Sequence, residues 1–199
     1  MRIVLATNNK DKIREIKNIL SDLPAEILTL KDFLGFPKIE ENGKTLEENA
    51  ILKAKGIYQF TGLPSLADDS GLEVDALDGA PGVLSSRFAG ERCTYQDNNR
   101  KLLSLMRDVP WEKRDAKFVC VVTLAKDFNH IVTVKGEIRG VIAFEEKGEN
   151  GFGYDPVFYL PQLNQTFAQL PLEEKNKISH RSQAFTKAKE LIQKGFLYD

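Results

Sequence analysis

The chain has 199 residues, 42% hydrophobic and 29% charged, a composition typical of a globular protein of one domain or two closely packed lobes. Its net charge of -1 excludes a general electrostatic attraction to nucleic acid or to a membrane, so any anion site must be a local concentration of charge. No segment is typical of a signal peptide or a membrane span, and the two cysteines, Cys93 and Cys120, give no disulfide framework. We therefore expect a cytoplasmic protein whose partners include no nucleic-acid polymer and no membrane.

The first half of the chain predicts strands that alternate with helices. The predicted elements are a strand at 2–6, a helix at 13–20, a helix that opens with the capping box Thr45–Glu48 and ends near Phe60, and, at 63–67, a loop that enters a short buried strand, which Ser70-Gly71 should break. The apolar residues of each helix recur at a spacing that places them on one face.

The second half predicts consecutive strands followed by a final helix. The predicted elements are a turn at 79–82, a helix from Thr94 or Asp97 to about Met106, strands at 118–125 and 131–144, a glycine-rich loop at 145–154, and a last helix that Ser179 caps and that ends before Gly195. Because strands first alternate with helices and then follow one another, we expect an α/β fold with a mixed sheet.

Two adjacent acids, Asp68 and Asp69, follow the apolar run at 63–67. They are expected at a strand end, where a sheet often presents functional groups. Adjacent carboxylates repel one another unless a cation or a shared proton relieves the repulsion, and carboxylate oxygens are ligands that Mg²⁺ prefers. Glu40 and Glu41 could converge with them on one Mg²⁺. The alternatives are that the aspartates only cap a strand and that the glutamates lie on the surface.

The segment 7–12 joins the first strand to the first helix and predicts a phosphate site. Amide groups at a helix start are unpaired and carry partial positive charge, and Lys10 and Lys12 lie close to them. The segment lacks the glycines of a Walker A loop, so a solvated turn is the alternative. Lys53 shares a helical face with Asn49, and spacing alone favours a solvated lysine.

Two later segments predict contacts to a base. In the segment 148–156, three glycines surround Phe152 and Tyr154, which could stack on a planar ligand; the alternative is a hairpin loop whose aromatic rings cover the core. In the segment 173–181, cationic and polar donors suit a phosphate or the carbonyl oxygens of a base, although a lone histidine is more often structural. These donors are Lys175, His180 and Arg181.

Taken in order, these segments resemble the inosine triphosphate pyrophosphatase family, also called the HAM1-like non-canonical purine NTP pyrophosphatases. The resemblance runs nearly end to end. Its motifs are Thr7-x-Asn9-x-x-Lys12, Glu48-Asn49-Ala50 with Lys53-Ala54, Ala67-Asp68-Asp69-Ser70-Gly71-Leu72, Gly79-Ala80-Pro81-Gly82, Ser85-Ser86-Arg87-Phe88-Ala89-Gly90, Gly151-Phe152-Gly153-Tyr154-Asp155-Pro156 and Ile178-Ser179-His180-Arg181. Small departures occur at Asn8 and Asn150, where glycine is common, and at Ser86, where alanine is common.

The resemblance implies an XTP/dITP diphosphatase, a Mg²⁺-dependent hydrolase that cleaves ITP, dITP and XTP to the monophosphate and pyrophosphate and so cleanses the nucleotide pool. It implies a single domain over residues 1–199, an elongated mixed β-sheet flanked by helices, two lobes with the active-site cleft between them, and a homodimer.

The resemblance also assigns roles by position. The implied substrate-binding residues are Thr7, Asn9 and Lys12 at the triphosphate with Lys53 nearby, Phe152, Gly153, Tyr154 and Asp155 along the base and sugar, and Lys175, His180 and Arg181 at the base. Asn8 and Ser70 are also implied to bind substrate. The implied metal ligands are Glu40 and Asp69, and the implied catalytic acids are Asp69, as general base or metal ligand, and Asp68 beside it.

Two alternatives and three questions stay open at this stage. The chain could be a related pyrophosphatase for pyrimidine or modified nucleotides, as in the Maf-like group, or a nucleotide-binding module without hydrolysis, although the retained acids disfavour the latter. Donors facing a 6-oxo group would reject ATP but do not explain rejection of GTP, which also carries that group. The preferred nucleotide, the number of metal ions and the division of roles between Asp68 and Asp69 are open.

Overall fold

The fold is built on a sheet whose strands run both parallel and antiparallel. A computed structural model describes residues 1–37 and 39–197. Within them the strand order is β2-β1-β3-β4-β5-β6-β7. The strands are β1 Arg2–Leu5, β2 Glu26–Thr29, β3 Ser65–Val74, β4 Asp115–Ala125, β5 Ile131–Ile142, β6 Phe158–Leu160 and β7 Gln165–Thr166. β1 pairs in parallel with β2 and β3, whereas β6 pairs antiparallel with β5 and β7.

Five α-helices accompany these strands in the described part of the chain. They are α1 Lys10–Ile19, α2 Leu46–Thr61, α3 Tyr95–Leu105, α4 Leu172–Ile178 and α5 His180–Gln193. The α/β class with a mixed sheet is therefore confirmed, whereas the arrangement of two lobes around a cleft stays a prediction. No helix among the described residues is long and apolar enough to cross a membrane.

The chain divides into two compact units, although the sequence predicts one domain, and that prediction stays open. The first unit contains the described residues of 1–69, 120–136 and 180–197. Its strand β1 lies between β2 and β3, and successive side chains alternate between the two faces of the sheet. Leu5 and Leu66 pack against α1 and α5 on one face. Val4 and Ala67 pack against α2 on the other.

The second unit contains residues 70–119 and 137–179. Its core is aromatic: the Phe118 and Phe158 rings lie 4.5 Å apart, and the Phe158 and Phe167 rings 5.2 Å apart. The buried guanidinium of Arg114 donates to four backbone carbonyl oxygens at 2.6–3.0 Å, those of Met106, Val109, Ile142 and Ala143. Because Met106 is the C-cap of α3, this arginine fixes the end of that helix.

Most predicted elements are confirmed, with small shifts of their ends. Thr94, rather than Asp97, caps α3, with a complete capping box. The last helix begins at His180, directly after Ser179, and ends before Gly195. The elements absent from the prediction are β2, β6, β7 and α4, which are too short to show a periodic pattern.

The capping box predicted for α2 is half correct. The Thr45 hydroxyl accepts a hydrogen bond from the Glu48 amide at 3.1 Å, as expected. The Glu48 carboxylate instead accepts from the Lys44 amide at 2.6 Å, one residue before the cap. The helix therefore starts where predicted, while the reciprocal bond is displaced by one residue.

The prediction that Ser70-Gly71 breaks the strand is wrong. β3 runs from Ser65 to Val74, so the two acids lie within it and not at its end. Glycine inside a strand often marks close approach of another backbone. A Cβ on Gly71 would lie 2.5 Å from the carbonyl oxygen of Gly82, so the glycine admits this neighbouring turn.

Candidate active site

The turn between β1 and α1 carries the first predicted phosphate ligands. The Asn9 side chain caps α1 and accepts from the amides of Asp11 at 2.9 Å and Lys12 at 3.2 Å. The Thr7 hydroxyl accepts from the Asn9 amide at 3.1 Å. Because these side chains satisfy amides that open the helix, Thr7 and Asn9 build the turn. Phosphate binding here, and at the exposed Asn8, stays a prediction.

Asp68 lies fully buried among cations. Its Oδ2 accepts from Lys12 Nζ at 2.7 Å and lies 3.9 Å from Arg181 Nε. Burial disfavours the charged carboxylate, but Lys12, Arg181 and Lys53 outweigh it and hold the pKa of Asp68 well below its usual range. Asp68 is therefore ionised at neutral pH.

Arg181 is shared between two acids of the first unit. Its Nη1 donates to Glu15 Oε2 at 2.5 Å, and both side chains are buried. Burial opposes the guanidinium charge, but Glu15 and Asp68 raise the pKa of Arg181. Arg181 thus joins α5 to α1 and places a permanent positive charge beside Asp68.

Asp69 has a different set of partners. Its Oδ1 accepts from Lys53 Nζ at 2.8 Å, and its Oδ2 accepts from Asn49 Nδ2 at 3.4 Å. Burial raises the pKa of Asp69, opposed by the charges of Lys53 and Lys12. Lys53 is 8% exposed, so the expectation of a solvated lysine, from spacing alone, is wrong. Burial opposes its charge, but the nearby carboxylates raise the pKa of Lys53.

The two aspartates lie on opposite faces of β3, since successive residues of a strand point to opposite sides. Asp68 follows the face of Leu66 and contacts α1 and α5. Asp69 follows the face of Ala67 and contacts α2. β1 pairs with β3 only as far as Leu5↔Leu66, so both acids lie just beyond the end of β1.

The segment 40–43 before α2, which we call the acidic segment, also contacts Lys53. Glu41 Oε2 accepts from Lys53 Nζ at 3.1 Å, so Glu41 and Asp69 converge on one cationic nitrogen. Carboxylate oxygens are the kind of ligand that Mg²⁺ prefers. Among residues 1–37 and 39–197, however, no group of three or more His, Cys, Asp and Glu side chains could hold a metal ion. Glu40, the expected ligand, is exposed, and its role stays a prediction.

The loop after β5 carries the predicted base contacts, and Asp155 ties it together. Asp155 Oδ2 accepts from the Phe152 amide at 2.8 Å and from Lys175 Nζ at 2.5 Å. Lys175 Nζ also lies 5.0 Å from the centre of the Phe152 ring. The Tyr154 hydroxyl donates to the carbonyl oxygen of Ser85 at 2.9 Å. The segment 151–155, which we call the base loop, is therefore held by its own side chains.

The three predicted base donors have different surroundings. Lys175 is buried in the second unit and pairs with Asp155. His180 and Arg181 are buried in the first unit, where Arg181 pairs with Glu15. Ser70, another predicted substrate ligand, is half-buried and follows Asp69. The structure thus joins Lys175 to the base loop and joins Arg181 to the acids.

Sequence reasoning missed three residues that hold these groups. Glu15 is one turn from Lys12 on α1, and an acid directly before the apolar Ile16 was the available signal. Asn49 donates to Asp69 and accepts from the Gly43 amide at 2.8 Å, so it also fixes the acidic segment. Asn99 donates to the Gly153 carbonyl oxygen at 3.1 Å.

Comparison with known proteins identifies relatives over almost the whole chain. A dITP/XTP pyrophosphatase from Desulforamulus reducens is 50% identical over 198 residues, which cover 100% of this chain and 98% of the relative. A second, from Geobacter sulfurreducens, is 51% identical over 189 residues and 95% of each chain.

Solved structures agree with these relatives. The structure of a HAM1 protein from Coxiella burnetii has a TM-score of 0.90 and 42% identity, covering 98% of this chain and 100% of its own. The Ham1 protein of Staphylococcus aureus has a TM-score of 0.87 and 40% identity, covering 98% and 99%. The Ham1 family model matches residues 3–191, and the chain therefore belongs to the Ham1 family.

Proposed function

We propose that this protein is a pyrophosphatase that hydrolyses the non-canonical purine nucleotides dITP, XTP and ITP to the monophosphate and pyrophosphate. The observation that carries the proposal is its 50% identity, over the full chain, to a protein named dITP/XTP pyrophosphatase. The arrangement of acids and lysines around β3 supports it, because phosphoryl chemistry needs water activation and neutralisation of negative charge.

In this proposal Asp69 is the general base. A base must hold a proton briefly, and burial raises the pKa of Asp69 toward the range in which proton transfer is efficient. Asp69 would take a proton from the water that attacks the α-phosphorus, and pyrophosphate would leave. Lys53, 2.8 Å from Asp69 Oδ1, keeps the carboxylate ionised before that transfer.

Asp68 has a positioning role in this proposal. Its low pKa makes it a poor proton acceptor, whereas its contact with Lys12 Nζ at 2.7 Å fixes that ammonium group. Lys12, 16% exposed at its side chain, would then bind the triphosphate together with the 7–9 turn. Arg181 and Glu15 would hold Asp68 in place from α5 and α1.

The proposed cofactor is Mg²⁺, with Asp69 and Glu40 as its protein ligands. When bound, the ion would neutralise charge on the leaving pyrophosphate. Glu41, through Lys53, and Asn49, through the Gly43 amide, would hold the acidic segment in position relative to Asp69.

The base loop of the second unit would bind the purine. Phe152 offers a face for stacking, with Gly153, Tyr154 and Asp155 along the base and sugar. Lys175, paired with Asp155 at 2.5 Å, would donate to the 6-oxo group, and His180 is a further candidate donor. A 6-amino group would leave such a buried donor unpaired, which accounts for rejection of ATP. For Arg181, burial against Glu15 favours positioning of Asp68 over base contact.

The test is incubation with dITP, XTP, ITP, ATP, GTP and dUTP in the presence of Mg²⁺, with pyrophosphate and orthophosphate assayed separately. We expect pyrophosphate from the first three at least 100-fold faster than from ATP, in line with the ~10⁴–10⁵ that a site built for a specific polar group can reach. Release of orthophosphate alone would exclude cleavage at the α-phosphorus. Preference for dUTP would favour a pyrimidine pyrophosphatase. A cytoplasmic homodimer belongs to the same proposal, and light scattering on the purified chain tests the dimer.

A further inference from the structure

Helix α3 holds none of the residues with a role in the proposed function, yet one of its faces contacts the base loop. Tyr95 and Asn99 are four residues apart and therefore lie on the same face. The Tyr95 ring lies 5.8 Å from the Phe152 ring at an angle of 43°. Asn99 Nδ2 donates to the Gly153 carbonyl oxygen at 3.1 Å.

The amide of Asn99 is only half used within the described chain. Asn99 is 2% exposed, and its Oδ1 is buried with no hydrogen-bond donor among the described residues. A buried polar atom without a partner is costly. The neighbouring Asn98, by contrast, uses both ends of its amide, accepting from the Ala89 amide at 2.7 Å and donating to the Ser86 carbonyl at 3.3 Å. Asn98 is therefore bonded at both ends of its amide, whereas among the described residues Asn99 is bonded only through its nitrogen.

The carbonyl that Asn99 holds belongs to Gly153, one of two glycines of the base loop with a positive φ. Gly153 has a φ of +64° and no side chain of its own, so the torsions beside its peptide are little restricted. The residues on either side are tied elsewhere, Phe152 through its amide to Asp155 and Tyr154 through its hydroxyl to Ser85. The bond from Asn99 orients the Gly153 carbonyl from outside the loop.

We propose that Asn99 is a positioning residue for nucleotide binding: through the Gly153 carbonyl it fixes the base loop so that the Phe152 ring presents its face to the purine. This inference rests on the proposed function, and it adds a residue of α3 to the specificity apparatus. Asn99 touches no reacting atom, so its loss should weaken capture of the base and leave the chemical step unchanged.

The test uses Asn99→Leu, which has a similar volume and no polar atoms, and Asn99→Ser, which is smaller and avoids overpacking. For both we expect the KM for ITP to rise about 3- to 10-fold, the range expected for one hydrogen bond, with kcat changed less than twofold. The inhibition constant of tripolyphosphate, which has no base, should not change. The melting temperature of Asn99→Leu should stay close to that of the wild type, since leucine removes the buried Oδ1.

Leu102→Ala is the matched control, because Leu102 is fully buried on the same helix, in the apolar core that also contains Tyr154, and its side chain has no polar atom that could hold the Gly153 carbonyl. It should lower the melting temperature more than either Asn99 variant while leaving the KM for ITP unchanged. An unchanged KM in both Asn99 variants would overturn the inference. An equal rise in the inhibition constant of tripolyphosphate would also overturn it. So would a rise in the KM for ITP in Leu102→Ala in proportion to its lower melting temperature.

Failure of the proposed function is distinguishable from failure of this inference. If the wild-type protein turns over none of the nucleotides, the proposed function is contradicted. In that case the dissociation constant of the product monophosphate IMP, measured by calorimetry, replaces KM as the readout. Weaker IMP binding by both Asn99 variants, with wild-type binding intact, supports the inference without turnover. Equal IMP binding by wild type and both variants overturns it.

Discussion

Asp68 and Asp69 are consecutive residues of β3 whose pKa values are displaced in opposite directions. Both carboxylates are largely buried, and each contacts one lysine at 2.7–2.8 Å. The difference arises because Asp68 also has Arg181 beside it, whereas Asp69 shares Lys53 with Glu41. Acids held at different pKa values by their surroundings can take different roles, and this difference is why we propose Asp68 as an anchor and Asp69 as a base.

We expect Asp69→Asn to lower kcat by about 10²–10⁴-fold, the usual contribution of a general base. The isosteric amide cannot accept a proton from water, while it keeps a hydrogen-bond acceptor for Lys53. Steady-state kinetics with ITP measures the loss, and calorimetric binding of IMP checks that the nucleotide still binds. A kcat within threefold of wild type would remove Asp69 from the chemistry.

The raised pKa of Asp69 predicts an acid limb in the profile of kcat/KM against pH. Activity should fall as pH decreases through that pKa, at a midpoint above the ordinary aspartate value of about 3.9. Lys53 lowers the pKa of Asp69 by its charge, so Lys53→Met should move the midpoint to higher pH. A midpoint that shifts to lower pH, or does not shift in Lys53→Met, would contradict this assignment.

The pKa of Asp68 is lowered, in contrast to that of Asp69, and this predicts that the stability of the fold depends on pH. Its pKa is lower in the folded protein than in the unfolded chain, so its ionisation stabilises the fold. That contribution is fully present above the unfolded value of about 3.9 and is lost as pH falls toward the folded value. The free energy of unfolding in urea, compared between wild type and Asp68→Asn, should therefore differ at pH 7 and converge below pH 4. A difference that stays constant across this range would refute the lowered pKa.

Glu15→Gln tests the anchor of Asp68 from the side of α1. Removing one charge of a buried pair leaves Arg181 without its main partner, which typically costs about 3–5 kcal/mol. We expect a loss of that size in the free energy of unfolding, with Arg14→Gln, an exposed neighbour, as the control. A loss below about 1 kcal/mol would show that the pair behaves like a surface ion pair.

The sequence predicted the chemistry of this site better than its arrangement. The acids, Lys12 and the base loop were recognisable from residue type and order, because those features are local. The separation of Asp68 from Asp69 was hidden by Gly71, which resembled a strand end and instead admits the Gly82 backbone. The pairing of Arg181 with Glu15 joins residues 166 positions apart and depends on the packing of α5 against α1. Helical or strand periodicity contains no information about such contacts.

The two glutamates before α2 offer a test of the metal ligands. Loss of a group that only orients a metal ligand typically lowers affinity by about 10–100-fold, so we expect the loss of a ligand in Glu40→Gln to raise the Mg²⁺ concentration for half-maximal activity by at least about 10-fold. Glu41 contacts Lys53 instead, so Glu41→Gln should change that concentration less and should lower kcat. Magnesium titrations at saturating ITP measure both. If the two variants exchange their effects, Glu41 is the ligand and Glu40 is a surface acid.

Gly151 provides a test of the base loop that is independent of Asn99. It has a φ of +72°, and a Cβ there would lie 2.0 Å from Asp155 Oδ2, the atom that holds the Phe152 amide and Lys175 Nζ. Gly151→Ala must therefore displace Asp155 and disturb both bonds. We expect the KM for ITP to rise at least 10-fold and the preference for ITP over ATP to fall, because Lys175 loses its orientation. Gly62→Ala, at a similar φ of +65° with open space around it, controls for backbone strain alone. Unchanged selectivity in Gly151→Ala would show that Lys175 does not read the 6-oxo group.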